Sequence, residues 1–187
     1  MKKILAYYHK ILDKNHISPA SYFEWNTYRV FNYLNNYEKI TPNFRINSEG
    51  KPLSSAKSGV EDIFIEYSKI NLIVECSLRS GASQVDFEGN SVYRHSFSKL
   101  NFNNKKLLTF FIAPKIYDEL YQYYINRSNR VDIIPLSLEQ FSKLALIASD
   151  SNIEEILMKI SKNLTFKNNF YSITDWKLGI IKFIDNL

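Results

Sequence analysis

Two acidic residues, Asp62 and Glu75, lie in neighbouring segments whose composition is typical of β-strands. The segments cover residues 60–67 and 71–78, and because only three residues separate them, the sequence predicts an antiparallel hairpin. Side chains alternate between the two faces of a strand, so carboxylates from paired strands can meet at one divalent cation if the register brings their faces together. This spacing predicts a metal site made of oxygen ligands.

Glu75 is the more informative of the two, because it interrupts the apolar run Leu72-Ile73-Val74. Such a run predicts burial, and a buried carboxylate without a partner is costly. A bound metal ion would explain the residue, and so would a salt bridge to a core arginine. Asp62 taken alone is also compatible with a solvated carboxylate at the end of a strand.

A second polar pattern follows within residues 83–100, which are predicted to form a helix. Gln84, Glu88, Ser91 and His95 are separated by four, three and four residues. At about 100° per residue they all fall on one helix face. An amide, a carboxylate, a hydroxyl and an imidazole in one stripe could bind metal, position water and contact a phosphate. A solvated helix face is the alternative interpretation.

The composition limits the class of protein that carries these residues. The 187-residue chain has 45% hydrophobic and 23% charged residues, which is typical of a folded domain. No apolar run approaches the roughly 20 residues that a membrane helix needs, and one cysteine excludes an internal disulfide. The net charge of +5 is compatible with a polyanionic partner such as DNA, without requiring one. A cytoplasmic location is expected.

Apolar periodicity divides the rest of the chain into helices and strands. Ser18 and Pro19 are predicted to be the N-cap and the first residue of a helix. The resulting order predicts an α/β fold with a central mixed sheet flanked by helices. The predicted helices are 2–13, 19–36, 83–100, 115–127, 137–148, 152–163 and 174–186; the strands are 60–67, 71–78, 106–113 and 131–136; and 47–59 is a polar loop.

In this chain Asp62 is followed thirteen residues later by Glu75-Cys-Ser77. This pattern resembles the core of the PD-(D/E)xK nucleases. The longer strings are similar to the catalytic domain of the type IIS restriction endonucleases related to AlwI, PleI and MlyI. The resemblance covers residues 18–115 and implies one nuclease domain over residues 1–187, with a helical part at 116–187. The strings are Ser18-Pro-Ala-Ser-Tyr-Phe-Glu24-Trp, Gly59-Val-Glu-Asp62-Ile, Ile73-Val-Glu75-Cys-Ser-Leu-Arg-Ser-Gly81 and Glu88-Gly-Asn-Ser-Val-Tyr-Arg-His95.

The resemblance implies a role for each of these positions. Asp62 and Glu75 would bind Mg²⁺, and Glu88 would be a further acidic ligand. His95 would be a site histidine on the same helix as Glu88. Glu24 matches an acidic residue of the first core helix, and its role rests on the resemblance alone.

Two departures from the pattern affect the expected mechanism. Ser77 stands where the superfamily has a lysine that helps to activate water. Arg79 lies on the same strand face, and Gln84 or His95 could orient the water from the helix; His95 or a second metal ion is the favoured replacement. Only about 18 residues precede the matching region, whereas relatives that read DNA by themselves carry a recognition domain there. The chain is therefore expected to cut one strand of double-stranded DNA where a larger subunit reads a short asymmetric site such as GAGTC.

Two other functions remain open at this point. The chain could be a repair or transposon-associated nuclease that acts on branched DNA, or a non-catalytic subunit that keeps the fold, as Ser77 would allow. The aromatic C-terminal region could contact the large subunit or dock on its own core; its members are Phe166, Phe170, Tyr171 and Trp176. A restriction enzyme would be expected in the cytoplasm of a prokaryote.

Overall fold

A five-stranded mixed sheet forms the centre of the molecule in the computed structural model, which describes residues 1–165, 170 and 172–187. The strands are β1 (Lys39–Pro42), β2 (Ile63–Glu66), β3 (Ile70–Cys76), β4 (Lys106–Ala113) and β5 (Ile133–Ser137), and they are adjacent in that order. β1, β2 and β3 pair antiparallel, whereas β3, β4 and β5 pair parallel. The predicted α/β fold with a mixed sheet is confirmed.

Helices surround this sheet at nearly all of the predicted places. Except for α3, which begins seven residues after the predicted start at 83, each begins and ends within a few residues of the boundaries that apolar periodicity indicates. The helices are α1 (Lys2–Ile11), α2 (Pro19–Leu34), α3 (Asn90–Ser98), α4 (Asp118–Ile125), α5 (Leu138–Ala148), α6 (Ile153–Asn163) and α7 (Ile173–Asp185), with a π-helical turn at Gln84–Gly89 and a 3-10 turn at Phe102–Asn104.

The hairpin of β2 and β3 has the register that a shared site requires. Phe64 pairs with Ile73, and these two side chains belong to one small apolar cluster on one face of the sheet. Because side chains alternate along each strand, Asp62 and Glu75 lie on that same face, two residues further along. The prediction of an antiparallel hairpin with converging carboxylates is therefore confirmed.

Helices cover the two faces of the sheet differently. On the face of Glu75, Ser96 of α3 forms a 2.8 Å hydrogen bond with Thr109 of β4, and Tyr124 of α4 meets the ring of Phe111. On the opposite face lies α2, whose Phe31 contacts Phe141 of α5. The cleft described below opens where α2, the hairpin end and α3 meet.

Three local features differ from the sequence-based expectation. Ser18 precedes α2 as predicted, but it has a left-handed backbone (φ 56°) and its side chain caps no backbone N–H. β1 was not predicted, because it is a four-residue edge strand that ends at a proline, Pro42. The predicted continuous helix 83–100 begins with a π-helical turn before α3, and π-turns occur frequently at functional sites.

The C-terminal aromatic residues are only partly described. Trp176 is buried, and its indole N–H donates a 2.7 Å hydrogen bond to the carbonyl of Leu164, so this side chain packs into the protein's own core. Phe170 is half-buried. Phe166 and Tyr171 lie outside the described residues. In the described parts of the chain, no helix is both long and apolar enough to span a membrane.

Candidate active site

A cleft of about 500 Å³ opens at the end of the β2–β3 hairpin, between α2, the 47–59 loop and α3. Four acidic side chains line it, and they come from elements that are far apart in the sequence. Five of the six predicted site residues line it: Glu24, Asp62, Glu75, Glu88 and His95.

Asp62 lies just before β2 and is held in place by the neighbouring strand. The backbone N–H of Cys76 donates a 2.7 Å hydrogen bond to Oδ2 of Asp62. This contact fixes the carboxylate at the cleft wall beside Glu75, the residue that precedes Cys76 in β3. The alternative of a freely solvated carboxylate does not describe this position.

Glu75 is buried, and its partner is a histidine rather than an arginine. Nδ1 of His95 lies 2.7 Å from Oε1 of Glu75. The other ring nitrogen, Nε2, is buried and has no hydrogen-bond partner among the described residues. A carboxylate that holds one ring nitrogen leaves the second one oriented for a ligand, a water molecule or a phosphate.

Glu24 joins α2 to the polar loop that forms the opposite wall. It is only 6% exposed, and its Oε2 accepts a 2.8 Å hydrogen bond from the backbone N–H of Ala56. A 2.9 Å hydrogen bond between Ser21 and Ser55 ties the same helix to the same loop. The sequence placed Glu24 in the site by resemblance only, because its contact lies 32 residues further along the chain.

Ser77, Arg79 and Glu88 form a compact polar group at the end of β3. Oε1 of Glu88 accepts a 2.9 Å hydrogen bond from the hydroxyl of Ser77 and a 3.0 Å hydrogen bond from Nε of Arg79. The guanidinium of Arg79 also lies 4.4 Å from the ring centroid of Phe87. The positive charge nearest to Ser77 is thus already paired with Glu88.

The clustered carboxylates resist ionisation. Burial, followed by the neighbouring carboxylates of Glu75 and Glu24, raises the pKa of Asp62 well above its ordinary value. Burial, followed by Glu61 and Glu88, raises the pKa of Glu75 in the same way. A divalent cation would reverse this effect, because it favours the ionised form of every carboxylate around it.

Burial also acts on the other groups of the cleft. It raises the pKa of Glu24 and lowers the pKa of His95, in each case as the largest cause. The lowered pKa favours the neutral imidazole, which has one nitrogen that donates and one that accepts. When Glu75 is ionised, Nδ1 donates to it and Nε2 is the accepting nitrogen.

Gln84 does not line the cleft, although it lies on the predicted stripe. It is fully buried; its amide N–H groups donate to the carbonyls of Arg79 and Lys115, and its Oε1 accepts from the backbone N–H of Tyr117, all within 2.8 Å. A stripe on one helix face also extends along the axis by about 1.5 Å per residue. Gln84 is at the end that packs against the segment after β4, away from His95.

We expect Gln84→Leu to lower the free energy of unfolding by about 2–4 kcal/mol, because the backbone groups of Arg79, Lys115 and Tyr117 would lose their partner. Chemical denaturation would measure this change. Gln122→Leu, at an exposed position of α4, is the matched control and should stay within about 0.5 kcal/mol of wild type. If both variants were equally stable, the positioning role of Gln84 would be excluded.

Two residues near the site were not identified from the sequence. Glu61 is buried beside Asp62, and its carboxylate lies 3.3 Å from Nζ of Lys99. Lys57 lies on the cleft wall in the 47–59 loop. Glu61 could have been noticed as a second acidic residue next to Asp62, whereas a loop lysine has no periodicity that would distinguish it.

The donor set of the cleft suits a hard divalent cation. Its carboxylates supply the oxygen ligands that Mg²⁺ prefers, and Nε2 of His95 adds a buried polar atom without a partner. Among the described residues, no three His, Cys, Asp or Glu side chains are gathered closely enough to enclose an ion by themselves. Mg²⁺ usually takes only one or two carboxylates and completes its shell with water and substrate phosphate, so Asp62 and Glu75 fit it.

A mixed five-stranded sheet with helices on both faces is consistent with the α/β fold of restriction endonucleases. The chain belongs to the AlwI restriction endonuclease family, whose family model matches residues 4–144. It is also similar to the crystal structure of the small subunit, R.BspD6I2, of the heterodimeric restriction endonuclease R.BspD6I, with 31% identity, a TM-score of 0.82 and complete coverage of both chains. A comparison with curated proteins gives no significant match.

Proposed function

We propose that this chain is the Mg²⁺-dependent catalytic small subunit of a type IIS restriction endonuclease. It would hydrolyse one strand of double-stranded DNA near a short asymmetric site, such as GAGTC, that a larger subunit reads. The observation that carries this proposal is the grouping of Asp62, Glu75 and His95 in one cleft of a chain that belongs to a restriction endonuclease family. Such an enzyme acts on intracellular DNA, so we also propose the prokaryotic cytoplasm as its location.

Asp62 and Glu75 would hold the ion. When bound, Mg²⁺ would supply Lewis-acid polarisation of the scissile phosphate and lower the pKa of a nearby water. Asp62 is fixed for this role by the N–H of Cys76, and Glu75 by Nδ1 of His95. Glu88, whose Oε1 is already engaged by Ser77 and Arg79, would hold those two side chains in place rather than bind the ion directly.

His95 would act on the attacking water or on the phosphate. Glu75 orients the ring through Nδ1, which leaves Nε2 as the nitrogen that can accept a proton or a hydrogen bond from water. A carboxylate–imidazole pair of this kind needs no lysine at the position of Ser77. Glu24 would act indirectly by holding the loop at Ala56 against the cleft.

The similarity to a small subunit supports the proposed partner. R.BspD6I2 is the small subunit of a heterodimeric enzyme, and this chain matches it over its full length. In such an enzyme the large subunit would bind the recognition site and thereby position the small subunit at the phosphate that it cleaves. A non-catalytic role is the second candidate. The presence of Ser77 at the position where the superfamily has a lysine favours it.

The test is plasmid cleavage with this chain alone, with the candidate large subunit alone and with both, each in Mg²⁺ and in EDTA. We expect linear product only from the mixture in Mg²⁺, with no more than nicked circles from the large subunit. If the mixture leaves only the nicks of the large subunit, the chain is a non-catalytic partner. If this chain alone linearises DNA without a sequence preference, a structure-specific nuclease is the better description.

A further inference from the structure

The charges that line the cleft do not balance for an anionic substrate. Four carboxylates face the cleft, from Glu24, Asp62, Glu75 and Glu88, and a phosphodiester brings a further negative charge. With a divalent cation bound these carboxylates would be ionised, and one ion offsets only two of their charges, so a further basic side chain would favour binding of the phosphate. The cations of the described cleft wall are therefore the residues to consider.

Two of the three basic side chains on the described wall are already engaged. Nε of Arg79 pairs with Glu88 at 3.0 Å, and its guanidinium covers the ring of Phe87. The imidazole of His95 is buried, and its Nδ1 is engaged by Glu75 at 2.7 Å. Neither provides a free cation for a phosphate.

Lys57 is the third basic residue, and its ammonium forms no ion pair or hydrogen bond with any residue that the structure describes. It is exposed, and it lies on the loop wall, whereas Arg79 belongs to the strand wall. An ammonium at this place can reach a phosphate oxygen without first breaking an internal contact.

The loop backbone next to Lys57 is anchored to the site rather than free. The N–H of Ala56, one residue earlier, donates to Glu24, and Ser55 bonds to Ser21 of α2. Further back along the loop, the indole N–H of Trp25 donates a 2.7 Å hydrogen bond to the carbonyl of Gly50. These contacts hold the lysine beside the carboxylate cluster.

We propose that Lys57 contacts a non-bridging oxygen of the scissile phosphate and stabilises the charge that develops there in the transition state. This inference rests on the proposed endonuclease function. Lys57 would then be a catalytic cation that comes from the 47–59 loop, which Glu24 anchors, and not from the β2–β3 hairpin. The positive charge is the essential property, so arginine should replace lysine in part.

The test is single-turnover cleavage of an end-labelled duplex by the complex of this chain with its large subunit in Mg²⁺. Lys57→Ala should lower the cleavage rate constant by about 10–100-fold while DNA affinity stays within about threefold. Lys57→Arg should cut faster than Lys57→Ala but more slowly than wild type. Lys51→Ala, in the same loop but paired with Glu49 and outside the cleft lining, is the control and should cut like wild type.

Three results would overturn the inference. Lys57→Ala could cut as fast as Lys51→Ala, or it could lose DNA affinity while its cleavage rate constant stays unchanged. The third is an equal reduction of the cleavage rate constant in Lys57→Ala and Lys57→Arg. Asp62→Asn is included to separate this from the endonuclease proposal. If Asp62→Asn is inactive while Lys57→Ala is normal, only the role of Lys57 fails. If Asp62→Asn cuts normally, the endonuclease proposal itself fails.

Discussion

Replacing Glu75 with glutamine is expected to reduce cleavage of this chain's strand by about 10³-fold. The carboxylate is proposed to bind Mg²⁺, and its Oε1 also lies 2.7 Å from Nδ1 of His95. Glutamine keeps an oxygen that can accept from His95 but loses the negative charge that would hold Mg²⁺. That loss should remove about 4 kcal/mol of transition-state stabilisation, and this energy corresponds to the stated factor. Glutamine keeps the size of the side chain, so the folded structure should persist.

The measurement is the single-turnover rate of strand cleavage by the assembled enzyme, with thermal melting as the check on folding. Glu155→Gln is the matched control, because Glu155 is exposed on α6 and does not line the cleft. It should cut within about twofold of wild type, as expected for a surface position. A Glu75→Gln enzyme that cuts as fast as this control would show that the metal site lies elsewhere.

The second large effect is expected at His95, where alanine should reduce the cleavage rate constant by about 100-fold. Nε2 of this ring is buried beside the cleft without a partner, and Glu75 holds the ring by its other nitrogen. General acid–base catalysis by a positioned side chain is worth about 10²–10⁴-fold, so the loss should be in kcat rather than in KM.

His9→Ala provides the comparison for His95→Ala, because His9 is exposed on α1. Steady-state kinetics of both variants in the assembled enzyme would separate the two parameters. A defect in KM alone would show that His95 binds the phosphate without acting on the water. Unchanged kinetics would leave the histidine as a packing partner of Glu75.

The hairpin and its carboxylates could be predicted because they rest on local rules. A short connection between two strand-like segments favours antiparallel pairing, and side-chain alternation then fixes which residues share a face. Glu75 was conspicuous because a charged residue interrupts an apolar run. The structure supplied what sequence could not, namely that His95 rather than an arginine accompanies it.

The helix stripe was only partly informative. Glu88 and His95 do face the cleft, whereas Gln84 is used to hold the segments around Arg79 and Lys115. Periodicity reports which residues share a face, but it does not report what packs against each end of that face. The π-helical turn at 84–89 also has no signal in a pattern of apolar residues.

Loop residues were the hardest to place. Glu24 and Ala56 are 32 positions apart, and their contact depends on how the 47–59 loop folds back onto α2. Lys57 follows Ala56 in the same loop and lines the cleft. Long-range contacts of this kind follow from tertiary packing, and no composition or spacing rule predicts them.

The central claim is that the cleft of this chain cuts one DNA strand, and a strand-resolved assay tests it most directly. A duplex carrying the recognition site is labelled differently on each strand and incubated in Mg²⁺ with the large subunit plus either wild-type chain or Asp62→Asn. The wild-type pair should cut both strands, and the Asp62→Asn pair should cut only the strand assigned to the large subunit. Cleavage of both strands by the Asp62→Asn pair would contradict the account.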